Sequence, residues 1–180
     1  MEGYDNLGML EIRPIADEEI DEVARVHVRS WQAGYAGIVP ATFLDELDPA
    51  DFAARRRDKI VPEGGGSLVA AEDGRIVGLS AFGPYRPERD TLDPSAGELY
   101  SIYVDPDHWG GGTGHRLFDV VKESLTAAGF PVMRLWVLEE NHRARRFYER
   151  HGMRPDGERT VWTPKGTTVE LPELRYATPL

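Results

Sequence analysis

The residues that decide how this chain is read are Val104-Asp105-Pro106-Asp107-His108-Trp109-Gly110-Gly111-Gly112-Thr113-Gly114-His115-Arg116-Leu117. Before them, Glu98-Leu99-Tyr100-Ser101-Ile102-Tyr103-Val104 reads as a strand that ends at Asp105-Pro106. After them, Leu117, Val120, Val121 and Leu125 recur at helical spacing. Between strand and helix lie Gly110, Gly111, Gly112 and Gly114. Glycine lets backbone amides approach a ligand with no Cβ in the way, and a helix start leaves four N–H groups without intrahelical partners. A strand, a glycine loop and a helix start in that order make an anion site, most naturally for phosphate or pyrophosphate.

Two common nucleotide motifs fit this loop poorly. A P-loop needs Gly-Lys-Ser/Thr, and the loop has no lysine. A dinucleotide fingerprint needs G-x-G-x-x-G directly after the strand. Gly110 and Gly112 fit it, but His115 holds the third glycine position and five residues separate Val104 from Gly110. Glu139, near the end of the next strand, suits the ribose acid, so that reading stays open as an alternative.

A third comparison fits better. Ile102-Tyr103-Val104-Asp105-Pro106 followed by Gly112-Thr113-Gly114 resembles motif A of the GNAT superfamily of N-acetyltransferases, with Trp109 where the family usually has arginine or glutamine. Asn141-His142-Arg143-Ala144-Arg145-Arg146-Phe147-Tyr148-Glu149-Arg150-His151-Gly152-Met153 is similar to the family's later Asn-x-x-Ala-x-x-Phe-Tyr-x-x-x-Gly-Phe/Met segment, one strand further on. Trp31-Gln32-Ala33-Gly34-Tyr35 and Glu98 also sit where many members have similar residues. The resemblance is strong over Glu98–Met153 and looser elsewhere.

The resemblance implies an acetyl-CoA-dependent acyltransferase, a mixed α/β domain whose two parallel strands splay apart, and no metal. It implies that the pantetheine contacts Ile102, Tyr103 and Val104. The pyrophosphate would lie on the amides of Gly110, Gly111, Gly112, Thr113, Gly114 and His115, and Asn141 would touch the CoA arm. Tyr148 matches the family's general acid, and Glu98 is the expected base. Acceptor selectivity is expected from Trp31, Tyr35, the Gly83–Gly97 loop and the C-terminal strands with Trp162. Direct transfer of an acetyl group to a primary amine, of a small molecule or a peptide, is the expected reaction. A non-catalytic CoA-binding module is the alternative. Members often dimerise, so a homodimer is a further expectation.

Outward from the motifs the chain reads as one domain over 1–180, with a polar lead at 1–8. Met9–Pro14 alternates like an edge strand, and Asp17-Glu18-Glu19 starts a helix whose inner face is Ile20, Val23, Ala24, His27, Val28 and Trp31. On that apolar face His27 reads as a satisfied core histidine. Shorter helices are predicted around Ala41–Leu47 and Asp51–Ile60. Ser67–Glu72 and Arg75–Phe82 flank Asp73-Gly74, a type I′ hairpin signal. Val132–Leu138 reads as a strand covered on both faces, Asn141 as a helix N-cap, and Gly129 and Gly152 as helix ends. Arg159–Thr163 and Thr168–Tyr176 read as the last strands.

Composition excludes several classes. The 180 residues contain no cysteine, which removes disulfides, zinc thiolates and a thiol nucleophile. With 31 acidic and 21 basic side chains the net charge is −10, and nothing concentrates the basic residues enough to favour nucleic acid. The negative balance hints instead at a cationic acceptor. No apolar run approaches the ~20 residues that span a bilayer, and Met1–Asn6 has no signal-peptide character, so the expected location is the cytoplasm, away from membranes.

Overall fold

A computed structural model describes residues 10–88 and 91–180. The expected polar lead at 1–8, and Met9 after it, lie outside the described residues. The order is β1 (Leu10–Pro14), a 3₁₀ turn, α1 (Ile20–Gly34), α2 (Ala41–Asp45), α3 (Pro49–Arg57), β2 (Gly66–Glu72), β3 (Arg75–Tyr85), β4 (Asp93–Val104), a second 3₁₀ turn, α4 (Thr113–Ala127), β5 (Val132–Leu138), α5 (His142–Arg150), β6 (Arg154–Trp162) and β7 (Leu171–Pro179). The strands form one mixed sheet in the order β1-β2-β3-β4-β5-β7-β6, with β4 and β5 its parallel pair. This is the mixed α/β domain expected from the sequence. No helix of the described residues is long and apolar enough to cross a membrane.

Helices cover both faces because successive strand residues point to opposite sides. On β2, Leu68 and Ala70 join the core under α4 with Leu117, Phe118, Val121 and Leu125. Their neighbours Val69 and Ala71 pack with Val23 and Val26 of α1. Asp73 (φ 49°) and Gly74 (φ 78°) both take positive φ, as the type I′ turn between β2 and β3 requires. Gly129 (φ 87°) follows Ala128, the C-cap of α4, as its C′ glycine.

The sheet is opened by an irregularity in β4. Ala81 lies opposite Ser101 but Phe82 lies opposite Leu99, so Tyr100 is an extra residue of β4. A bulge bends and twists its strand. β4 pairs with β5 only at Gly97–Met133 and Glu98–Arg134, just before the bulge, and beyond it the two strands separate.

Some boundaries differ from the sequence reading. The expected Gly83–Gly97 loop is mostly strand, because β3 runs on to Tyr85 and β4 begins at Asp93. The last strands start at Arg154 and Leu171, since β6 pairs from Arg154 and Thr168–Glu170 lie in the connection between the strands. β5 is fully buried on one face only: Met133, Leu135 and Val137 are buried, whereas Arg134 and Trp136 are half-exposed. On that second face Arg134 lies over Tyr85 and Arg175 reaches Trp136, so side chains rather than a helix cover it.

Candidate active site

A cavity of about 260 Å³ occupies the gap between the diverging strands. Its walls are Leu99 to Val104 of β4, Trp136 to Leu138 of β5, the glycine loop, one face of α5, Tyr35 from the end of α1, and Glu173 of β7. On the β5 side of β4, no strand pairs with the backbone past Glu98. Backbone N–H and C=O groups removed from water need partners, so this edge calls for a ligand that presents amides of its own.

The glycine loop closes one end of the gap. Gly110 (φ 82°) and Gly112 (φ 90°) hold the left-handed conformation that glycine tolerates best, and a Cβ on either would meet no atom within 4 Å. The space above them is therefore open. The first helical hydrogen bond of α4 runs from Arg116 N to Gly112 O (3.1 Å), which leaves the amides of Thr113, Gly114 and His115 to an external acceptor. Asp105 accepts from the Asp107 amide (3.0 Å) and lies 3.4 Å from Arg29, which steadies the turn before the loop. Gly110, Gly112, Thr113, Gly114 and His115 all line the cavity, as do Ile102, Tyr103 and Val104. Gly111 is not on the wall.

Two side-chain arrangements buttress this end. The Trp109 indole N–H donates to Val104 O (2.8 Å), and the guanidinium of Arg143 lies over the Trp109 ring. His151 Nδ1 is 2.8 Å from Phe147 O, and its Nε2 is 2.9 Å from His115 Nδ1. A carbonyl oxygen only accepts, so His151 donates from Nδ1, and the short Nε2–Nδ1 contact is a hydrogen bond between the two rings.

α5 carries the next set. Asn141 Oδ1 accepts from Ala144 N (3.1 Å), so the residue is the N-cap and also lines the cavity. Phe147 packs edge-on against Phe118 (ring centres 5.9 Å apart). Tyr148 also lines the cavity; burial, and then its neighbour Tyr103, raise its pKa far above that of a free phenol. It therefore stays protonated at any ordinary pH.

The two acids near the gap differ in what they can do. Glu98 sits at the last position where β4 pairs with β5, is 4% exposed, and accepts from the Arg86 amide (2.8 Å) and from Arg86 Nη2 (3.0 Å). It is not on the cavity wall, because the strands part only after it. Glu173 is on the wall, opposite Leu138 in the β5–β7 register. Burial, followed by the nearby charge of Glu98, pushes its pKa up to about 7. Glu173 belongs to none of the sequence motifs. Its one signal is an acid on a central strand whose neighbour Leu174 and the alternating Tyr176 are buried.

Tyr35 lines the cavity, while Trp31 stands behind it with ring centres 5.0 Å apart and meets Trp162 edge-on at 5.8 Å. His27 is not the satisfied core histidine expected. Its ring lies against Tyr103 (4.7 Å) and Phe52 (4.4 Å), but its buried Nε2 has no hydrogen-bond partner among the described residues. Burial, then the charges of Arg56 and Arg55, push its pKa down to about 3, so it is neutral. No group of three or more His, Cys, Asp or Glu among the described residues is placed to hold a metal ion.

Comparison with known proteins agrees with this geometry. The Acetyltransferase (GNAT) family matches residues 20–153. The uncharacterized N-acetyltransferase YuaI of Bacillus subtilis is 34% identical over 134 residues, 74% of each chain. The fold is shared with PaiA N-acetyltransferase from Thermoplasma acidophilum, solved in complex with coenzyme A (TM-score 0.73, 17% identity, 96% of this chain and 99% of that one). It is shared too with yncA from Salmonella typhimurium, solved with acetyl-CoA (TM-score 0.66, 20% identity, 94% and 93%). A splayed parallel pair, a glycine loop at the start of a helix, and a family match that spans both make this chain a member of the GNAT family of acetyltransferases, an acyltransferase enzyme.

Proposed function

We propose that the protein moves an acetyl group from acetyl-CoA directly to a primary amine, with Tyr148 as general acid and Glu173 as general base. One observation carries this reading. The unpaired edge of β4 and the open amides of α4 meet in a single cavity, and Tyr148 and Glu173 are both on its wall. Relatives of the same fold solved with coenzyme A and acetyl-CoA support the choice of co-substrate.

The residues present fit that molecule. Gly110, Gly112, Thr113, Gly114 and His115 offer backbone donors to a pyrophosphate at the positive end of the α4 dipole. Ile102, Tyr103 and Val104 offer unpaired backbone to the pantetheine amides. When bound, acetyl-CoA supplies the thioester carbonyl and a thiolate leaving group. An N–H of the β4 edge near Ile102 is suited to hold negative charge on the carbonyl oxygen.

An amine attacks only when neutral, and a lysine-like amine with pKa about 10.4 is about one part in a thousand neutral near pH 7.4. Glu173, with a pKa of about 7, is ionised at that pH and accepts the ammonium proton at its carboxylate. Tyr148 holds a proton on its hydroxyl and gives it to the sulfur as the thiolate forms. Glu98, expected from the sequence as the base, acts instead by anchoring Arg86 and by raising the pKa of Glu173.

The test is thiol release from acetyl-CoA with a panel of amines. Release that depends on an added amine supports acyl transfer. Thermal stabilisation by CoA with no release from any amine identifies a CoA-binding module instead. Stabilisation by NAD alone removes both readings.

A further inference from the structure

At the end of the gap that the glycine loop closes, α4 and α5 meet through a pair of imidazoles. His115, in the first turn of α4, and His151, the C-cap of α5, are joined by the 2.9 Å contact from His115 Nδ1 to His151 Nε2. His151 Nδ1 is committed to Phe147 O at 2.8 Å. Phe118 and Phe147 hold the His151 ring, with centres 4.3 and 4.4 Å from its own. His115 is open to solvent and lines the cavity beside the loop amides. The transfer chemistry uses neither imidazole.

Counting hydrogens shows where this pair can take up charge. While each ring carries one hydrogen, that of His151 sits on Nδ1, because a carbonyl only accepts. The hydrogen between the rings then belongs to His115 Nδ1. The vacant nitrogen is His115 Nε2, which makes no hydrogen bond to the protein among the described residues. A further proton enters there, and His151 Nε2 steadies the cation by accepting from it. The charged groups around the pair are Arg116 and Asp119 of α4, Arg146, Glu149 and Arg150 of α5, and Arg154 beyond it. Glu149 is turned to Tyr176, and Arg154 donates to Glu149 O and Met153 O. Among the described residues, the histidines within 4 Å of a carboxylate are His108 and His142, so no acid neutralises this pair. The two helix ends act on its charge in opposite senses: the C-terminus of α5 favours a cation and the N-terminus of α4 disfavours one. A pyrophosphate on the α4 amides reverses the second effect, so proton and phosphate each strengthen the binding of the other.

We propose that His115 and His151 form a proton-carrying anion contact of the coenzyme site, which takes up a proton at His115 Nε2 when the pyrophosphate of CoA binds on the glycine loop. This rests on the acetyl-CoA reading and adds a protonation step to binding. His115 carries the charge, and His151 is a positioning residue that acts through the acceptor it presents to His115. The proton comes from solvent and returns to it when CoA leaves. By reciprocity CoA binds more tightly as pH falls from 8 to 6, by at most about tenfold per pH unit, since one proton is taken up.

The experiment is calorimetric titration with dephospho-CoA at pH 6, 7 and 8, in buffers of different ionisation enthalpy. This ligand keeps the pyrophosphate and lacks the 3′-phosphate, a group that itself titrates at about pH 6. Wild-type protein is expected to take up a proton on binding and to bind roughly tenfold more tightly at pH 6 than at pH 8. That measurement needs no variant to fold. His115→Gln is expected to lose both effects. His151→Phe keeps an aromatic ring between Phe118 and Phe147 but removes the acceptor, so the dependence is expected at lower pH. Glu173 lies on the same wall and titrates at about 7, so Glu173→Gln serves as the control and is expected to take up the same proton. Uptake that persists in His115→Gln, or vanishes in Glu173→Gln, overturns the proposal, and an unshifted profile in His151→Phe overturns the pairing. Binding without proton uptake overturns the proposal and leaves the coenzyme reading standing. Failure of both CoA and dephospho-CoA to bind at any pH overturns the coenzyme reading, and this proposal with it.

Discussion

The guanidinium of Arg143 lies 3.3 Å from the centre of the Trp109 ring, and both residues line the cavity beside the glycine loop. Trp109 stands at the position where the family motif usually has an arginine or glutamine. Arg143, from the first turn of α5, brings a cation back to that end of the cavity. Trp109 in turn fixes the loop by donating to Val104 O. A guanidinium stacked on an indole and placed beside a pyrophosphate contributes on the order of 1 kcal/mol. Arg143→Ala is expected to raise KM for acetyl-CoA about tenfold and to change kcat little. An unchanged KM in steady-state assays would show that Arg143 only covers the indole.

Tyr148 is the second test. Its hydroxyl is protonated throughout the working range, because burial raises its pKa. Tyr148→Phe removes the proton without changing the ring packing around Phe118 and Tyr176. General acid catalysis contributes roughly 10²–10⁴-fold, so kcat should fall at least a hundredfold with KM for acetyl-CoA nearly constant. A kcat within threefold of wild type would remove Tyr148 from the chemistry.

Glu173 gives a pH signature. With a pKa near 7, the base is lost as pH falls through that value, so kcat/KM should drop tenfold per unit on the acid side. Glu173→Gln should abolish this limb along with most of the rate, whereas Glu98→Gln should move it to lower pH by removing a neighbouring negative charge. An acid limb that survives in Glu173→Gln would assign the base elsewhere.

The same group makes a stability prediction of definite sign. The folded pKa of Glu173, about 7, is above the ordinary 4.5, so the folded state binds the proton more tightly than the unfolded chain. The cost of burying its charge is absent below pH 4.5, grows between 4.5 and 7, and is complete above 7. Glu173→Gln should therefore raise stability by on the order of 2 kcal/mol at pH 8 and by nothing at pH 4, read from denaturant melts. Activity and stability would thus move in opposite directions at one position.

How much of this the sequence could show depends on the range of the interaction. The glycine loop, the Asn141 cap and the Asp73-Gly74 turn are local, and each is written in residues a few positions apart. Glu98 and Glu173 are distinguished by something non-local. Their roles depend on where β4 leaves β5, and that is set by the extra residue Tyr100 against β3, a register fact with no mark in the β4 residues alone. Glu173 reaches the site only because β7 inserts between β5 and β6.

The glycine loop itself contains a paired experiment. Gly112 and Gly111 are adjacent but have different requirements. Gly112 is the N-cap of α4 at φ 90°, a conformation that costs an ordinary side chain about 1–2 kcal/mol, whereas the Gly111 backbone is not in that region. A Cβ on Gly111 would meet only His108 O at 3.6 Å, an ordinary contact, and Gly111 is not on the cavity wall. Steric clash does not separate the two, since a Cβ on Gly112 meets nothing within 4 Å. The difference is backbone conformation, and it acts on the amides that the pyrophosphate would use. Gly112→Ala should lower the melting temperature and weaken CoA binding at least tenfold, as the loop turns its amides to relieve the strain. Gly111→Ala should leave the melting temperature nearly unchanged and weaken binding far less. Calorimetric titration of CoA into both variants decides it, and equal losses would mean that the loop binds by shape and access rather than by amides held in one conformation.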